Sequence, residues 1–182
     1  EDSSLENNMH QAIQLIARMP TIMTYAYQVK RRHYDHESMY FHPMVAGLST
    51  SQTILHSLRA DSAYTDKEAK LLDLCLMLHA EHGGGNNSTF TTRVVTSAGS
   101  DTYAVIAAAL CSLKGPKHGG ANIKVVEMMQ DLKETVKDTS DKEKIKRYLE
   151  DVVDKKAFDE RGLIYGMGHA IYSVSDPRAE IF

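Results

Sequence analysis

The 182-residue sequence has no tryptophan, four phenylalanines, four prolines and two cysteines. Two cysteines exclude a disulfide-stapled scaffold. Cys75 and Cys111 each fall in an apolar helical pattern and read as reduced core residues. Basic charge is not in excess: 21 Lys and Arg stand against 24 Asp and Glu, a formal net charge of −3, which gives no electrostatic footprint for nucleic acid. No apolar run approaches the roughly 20 residues of a membrane-spanning helix, and Glu1-Asp2-Ser3 does not open a signal peptide. No stretch alternates with period two for long enough to argue a sheet, and no internal repeat is present. Metal-ligand spacing is missing as well. His33, His36 and His42 match no ligand motif and read as solvated loop histidines, while His79-Ala80-Glu81-His82 lacks the i, i+4 histidine pair of the zinc helix. These absences predict an all-α, cytoplasmic chain with no metal, no membrane and no nucleic-acid partner.

What is present is helical periodicity with clear start signals. Ser3 or Ser4 can cap a first helix carrying Met9, Ala12, Ile13, Ile16 and Ala17 on one face, and Pro20 is placed to open a second that runs to about Arg32. Residues 34–47 read as irregular. Ser49 or Ser51 starts a helix through Arg59. Thr65-Asp66-Lys67-Glu68 is a capping box ahead of a helix so apolar that deep burial is expected. Further helices are expected over Thr89–Ala98, Thr102–Leu113, Ile123–Lys137 and Asp141–Phe158.

Between two of these helices lies Leu113-Lys114-Gly115-Pro116-Lys117-His118-Gly119-Gly120-Ala121-Asn122. Gly-Pro ends one helix, Gly-Gly opens the next, and a histidine is set between them. An imidazole just ahead of a helix N-terminus is disfavoured as the cation, and a neutral imidazole can donate a hydrogen bond to a developing enolate oxygen. The plainer alternative is a loop histidine in a turn of common composition. Two more stretches carry glycine-flanked histidines: His79-Ala80-Glu81-His82-Gly83-Gly84-Gly85-Asn86 and Gly166-Met167-Gly168-His169-Ala170-Ile171-Tyr172, the latter followed by Ser173-Val174-Ser175-Asp176-Pro177-Arg178.

Taken together, these three stretches closely resemble citrate synthase and its relative 2-methylcitrate synthase, and the resemblance reaches back through Ile16-Ala17-Arg18-Met19-Pro20-Thr21-Ile22. The resemblance implies a citrate synthase-like multi-helical fold. Residues 1–117 would be a portion of the large helical domain with dimer-forming helices, and residues 118–182 a portion of the small domain. It implies condensation of acetyl-CoA, a co-substrate and not a resident cofactor, with oxaloacetate. By the same resemblance His118 donates to the thioester oxygen and His169 to the ketone oxygen of oxaloacetate. His82 and Arg178 bind oxaloacetate, and the backbone of Leu163, Ile164, Tyr165, Gly166 and Met167 cradles the adenine of CoA. Ser173 stands where a basic residue often meets a CoA phosphate, and Met167 where an aromatic residue is usual.

Family enzymes are considerably longer, and their carboxylate base lies well past the motif that ends in Arg178. The expectation is therefore an internal segment that lacks the base and is inactive alone. Asp176, immediately before a proline, reads as a turn or capping residue and not as a substitute base. The apolar helices over Met9–Arg32 and Thr65–Leu113 predict self-association, and the resemblance implies that it takes the form of a homodimer. Two alternatives stay open: 2-methylcitrate synthase acting on propionyl-CoA, and a non-catalytic helical binding or regulatory module of the same fold.

Overall fold

A computed structural model describes residues 2–80, 84–168 and 172–181. Its elements are α1 (Leu5–Tyr34), α2 (Thr50–Leu58), α3 (Asp66–His79), α4 (Asn87–Ser97), α5 (Thr102–Leu113), α6 (Gly120–Val136), α7 (Lys142–Val153) and α8 (Pro177–Ile181). Among the described residues there is no strand, and no helix is long and apolar enough to cross a membrane. The all-α expectation holds. Internal packing divides the chain into one unit of Glu1–Ala108 and another of Ala109–Phe182.

In the first unit, the expected pair of helices before residue 34 is one continuous helix. Pro20 lies inside α1, not at the start of a second helix. Pro20, Thr24 and Gln28, spaced by four, form the buried stripe of α1. Each buried polar group on it is satisfied: Thr24 Oγ1 donates to the Pro20 carbonyl at 3.0 Å, and Gln28 Nε2 donates to the Leu58 carbonyl at 3.1 Å. Gln28 Oε1 accepts from the Tyr40 amide at 3.2 Å, so one amide side chain ties α1 to the end of α2 and to the irregular stretch that follows α1.

Ser49 caps α2 and Thr65 caps α3, each closing a reciprocal capping box with Gln52 and Glu68. Ile54 and Leu55 of α2 are buried. Deep burial of α3 is corrected: Ala69 is its one buried residue, and Met77 is 67% exposed. Within this chain α3 packs mainly on α2, which covers one side of a helix that is apolar nearly all round. The same holds for the expected inner face of α1, where Ile16 is 72% exposed. Ala12, Leu15, Ile16, Met19 and Ile54 instead line an open apolar groove of about 480 Å³. Cys111 is also exposed, and Cys75 partly so; both are free.

In the second unit, Leu132 of α6 and Tyr148 and Val152 of α7 form the core, with Val136, Ile145, Leu149, Ala157, Phe158 and Ile164 packed around them. Tyr148 donates to Asp131 Oδ2 at 2.6 Å, and burial together with that carboxylate pushes its phenol well above the ordinary range. Helix α7 stops at Val153 and does not reach Phe158. Lys155, Phe158 and Glu160 take positive φ, which turns the chain back and lays Phe158 on the core. Helix α6 begins at Gly120, earlier than the expected Ile123.

Candidate active site

The loop around His118 is built by two glycines, Gly115 and Gly119, with different tasks. Helix α5 ends at Leu113, and Gly115 accepts at its carbonyl from the amides of His118 (3.1 Å) and Gly119 (2.9 Å). Gly119 caps α6 with φ −76° and ψ −17°, a conformation open to any residue. Its glycine identity is steric: a Cβ there would lie 2.7 Å from the Leu113 carbonyl oxygen. His118 is thus an exposed imidazole one residue ahead of the cap of α6, on backbone pressed against the end of α5.

The segment Leu163–Met167 is held from below by side chains of the same unit. Ile164 packs on the core, and the Tyr165 hydroxyl donates to Asp159 Oδ2 at 2.7 Å while its ring meets Phe158 edge-on, 5.9 Å between centroids. Asp159 is drawn below the ordinary carboxylate range by Tyr165 and Arg161, against an opposing effect of burial. Gly166 has φ +84°, and a Cβ on it would come 3.1 Å from Val125 of α6. Met167 closes the turn by donating its amide to the Ile164 carbonyl at 3.2 Å and leaves its side chain exposed.

Asp176 and Arg178 are joined to each other at the start of α8. Asp176 Oδ1 accepts from the Arg178 amide at 2.9 Å, which is the capping role expected of it. The same carboxylate also receives the guanidinium, from Nε to Oδ1 at 3.0 Å and from Nη2 to Oδ2 at 2.6 Å. His118, the 163–167 segment and Arg178 all belong to the second unit. His82, His169 and Glu81 lie outside the described residues. His79 ends α3, with Nδ1 2.6 Å from the Cys75 carbonyl oxygen. Among the described residues no three His, Cys, Asp or Glu side chains gather as a metal ion would require.

The whole chain, residues 1–182, matches the sequence model of the family described as citrate synthase, C-terminal domain. The chain belongs to the citrate synthase family. Citrate synthase of Acidithiobacillus ferridurans is 37% identical over 183 residues, which cover 99% of this chain and 42% of that protein. The 2-methylcitrate synthase of Shewanella oneidensis is 35% identical over 170 residues, covering 93% of this chain and 40% of that protein. The crystal structure of citrate synthase from Thermotoga maritima superposes with a TM-score of 0.70 at 27% identity, over 98% of this chain and 44% of that one. Against the Acidithiobacillus protein the chain thus spans 42% of the relative's length.

For a citrate synthase-family chain, three supports of the candidate site were not legible as such in the sequence: Asp159 under Tyr165, Val125 against Gly166, and the guanidinium contact of Asp176. Only the last carried a local signal, an acid and an arginine flanking a proline.

Proposed function

We propose that the enzyme carrying this sequence condenses acetyl-CoA with oxaloacetate to give citrate and CoA, as an acyltransferase of the tricarboxylic acid cycle. The observation that carries the reading is the His118 turn, fixed at Gly119 by contact with α5, in a chain whose full length matches the citrate synthase family. His118 donates a hydrogen bond to the thioester oxygen as the enolate forms, and His169 donates to the ketone oxygen as it becomes an alkoxide. His82 and Arg178 hold the oxaloacetate carboxylates, Arg178 through its planar fork. The backbone of Leu163, Ile164, Tyr165, Gly166 and Met167 receives the adenine of CoA. The carboxylate that removes the methyl proton is assigned to none of residues 1–182. Residues 1–117 belong in this reading to the large domain and residues 118–182 to the small one.

A homodimer is part of the proposal, supported by the apolar groove and open faces of α1 and α3; sedimentation showing monomer alone at micromolar concentration refutes it. A cytoplasmic location agrees with two free cysteines. A second reading, 2-methylcitrate synthesis from propionyl-CoA, is favoured by the Shewanella relative. Comparing kcat/KM for the two acyl-CoA substrates separates them.

The central test is steady-state kinetics of the enzyme with His118→Ala, His82→Ala and Arg178→Leu. His118→Ala lowers kcat by roughly a hundredfold or more, with modest change in the KM for oxaloacetate. Arg178→Leu and His82→Ala raise that KM strongly. An unchanged kcat in His118→Ala, with only the KM for oxaloacetate raised, overturns the role of His118. A full-length protein carrying this sequence and the remainder of the enzyme, yet without condensation activity, supports instead the non-catalytic module.

A further inference from the structure

We propose that Asp176 is a positioning residue for substrate binding: its carboxylate orients the Arg178 guanidinium before oxaloacetate arrives. This rests on the assignment of Arg178 to the oxaloacetate carboxylates. A helix cap needs one oxygen on one backbone amide, and Asp176 Oδ1 supplies that to the Arg178 amide at 2.9 Å. The remaining contacts go beyond capping. Arg178 Nε lies 3.0 Å from Oδ1 and 3.1 Å from Oδ2, and Nη2 lies 2.6 Å from Oδ2. One carboxylate therefore grips both ends of the same arginine, its backbone amide and its guanidinium. Pro177 between them has a fixed φ and no amide of its own, which sets the reach from Asp176 to Arg178 and removes a competing donor.

Two features distinguish this pair from the chain's surface ion pairs. Its side chains are 21% and 26% exposed, whereas Lys156 and Asp154 are 56% exposed or more. It is also bidentate, a geometry that fixes the plane of the guanidinium as well as its distance. A free arginine has several rotatable bonds, and ordering it when substrate binds opposes binding. With Asp176 in place, most of that ordering is completed on folding, and the fork meets a dicarboxylate already oriented. The negative charge of Asp176 acts the other way, repelling a dianionic substrate, so the sign of the effect on KM decides between the two.

The test is steady-state kinetics of the enzyme with Asp176→Ser, Asp176→Asn and Arg178→Leu, and of the Asp176→Ser/Arg178→Leu double variant. Serine keeps a good helix cap but is too short to reach the guanidinium; asparagine keeps the cap and one acceptor. The expected result is a KM for oxaloacetate raised about three- to tenfold in Asp176→Ser, the size of one long side chain left to be ordered on binding. Asp176→Asn falls between serine and wild type, kcat changes little in both, and Asp176→Ser adds nothing on the Arg178→Leu background. If Asp176→Ser leaves the KM unchanged or lowers it while Arg178→Leu raises it, the positioning role is overturned and Asp176 is a cap. If Arg178→Leu itself leaves that KM unchanged, the assignment of Arg178 fails. Should the serine variant not fold, the asparagine variant, whose cap is intact, decides by the same criterion.

Discussion

Gly119→Ala adds a single methyl group at a point with no room for it. The new Cβ would lie 2.7 Å from the Leu113 carbonyl oxygen and 3.5 Å from Lys114 Cα. A carbon normally approaches a carbonyl oxygen no closer than about 3.3 Å, so a gap of about 0.6 Å must open. The obstacle is backbone and cannot rotate aside. Either the last turn of α5 or the first turn of α6 has to move. Overpacking of this kind costs about 1–3 kcal/mol of stability. His118 is the adjacent residue and moves with the backbone, and a displacement of about 1 Å in a catalytic group can cost on the order of a hundredfold in rate. Gly120→Ala is the control, because its Cβ would meet Pro116 Cβ at 3.8 Å, an ordinary contact, inside the first turn of α6. That variant is expected to be neutral or to gain up to about 1 kcal/mol from the restricted unfolded chain. Denaturant unfolding of both variants, together with kcat, provides the comparison. A Gly119→Ala protein with unchanged stability and rate, or a Gly120→Ala protein harmed more than it, would show that the contact with Leu113 does not shape the turn.

Two further outcomes follow from the first unit. Glu68 is held down to about 2 from an ordinary 4.5 by the Arg59 guanidinium and by the amide and hydroxyl of Thr65. A depressed carboxylate stabilises the fold above its unfolded value, so this contribution is present above pH 4.5 and fades as pH falls towards 2. Glu68→Gln should flatten the acid limb of thermal stability over that window, and an unchanged acid limb would contradict it. Gln28→Ala strips a partner from both the Leu58 carbonyl and the Tyr40 amide, at a cost of roughly 2–4 kcal/mol in unfolding free energy. A loss below the error of the measurement would mean that neither group depends on the amide.

Helix existence was legible almost throughout, because caps are local. Ser49, Thr65, Asp101 and Asp141 each accept from backbone amides of the first turn that follows. Ends and burial were less legible, because they depend on partners distant in sequence. Nothing near Pro20 reveals that Thr24 and Gln28 will bury beside it, so a proline that reads as a helix start lies in a helix interior. The shortened α7 has the same origin: Phe158 continues the helical pattern, but its place on the core requires the chain to turn first. The α3 pattern gave its apolar character correctly and its burial wrongly, since pattern does not say whether a covering surface belongs to the same chain. In the candidate site, glycine spacing pointed to the His118 turn, but the Leu113 contact that makes Gly119 necessary is a matter of three dimensions.

The proline within α1 has a consequence for how that helix opens. Having no amide hydrogen, Pro20 leaves the ladder one rung short beside the Ile16 carbonyl, midway along a 30-residue helix. Downstream of it the buried stripe of Thr24 and Gln28 anchors the helix to α2, while upstream Ile13 and Ile16 stand open. Amide hydrogens on the two sides should therefore exchange with solvent as separate cooperative blocks, the upstream one faster. The two helices suggested by the sequence would then reappear in time, as two opening events within a single helix.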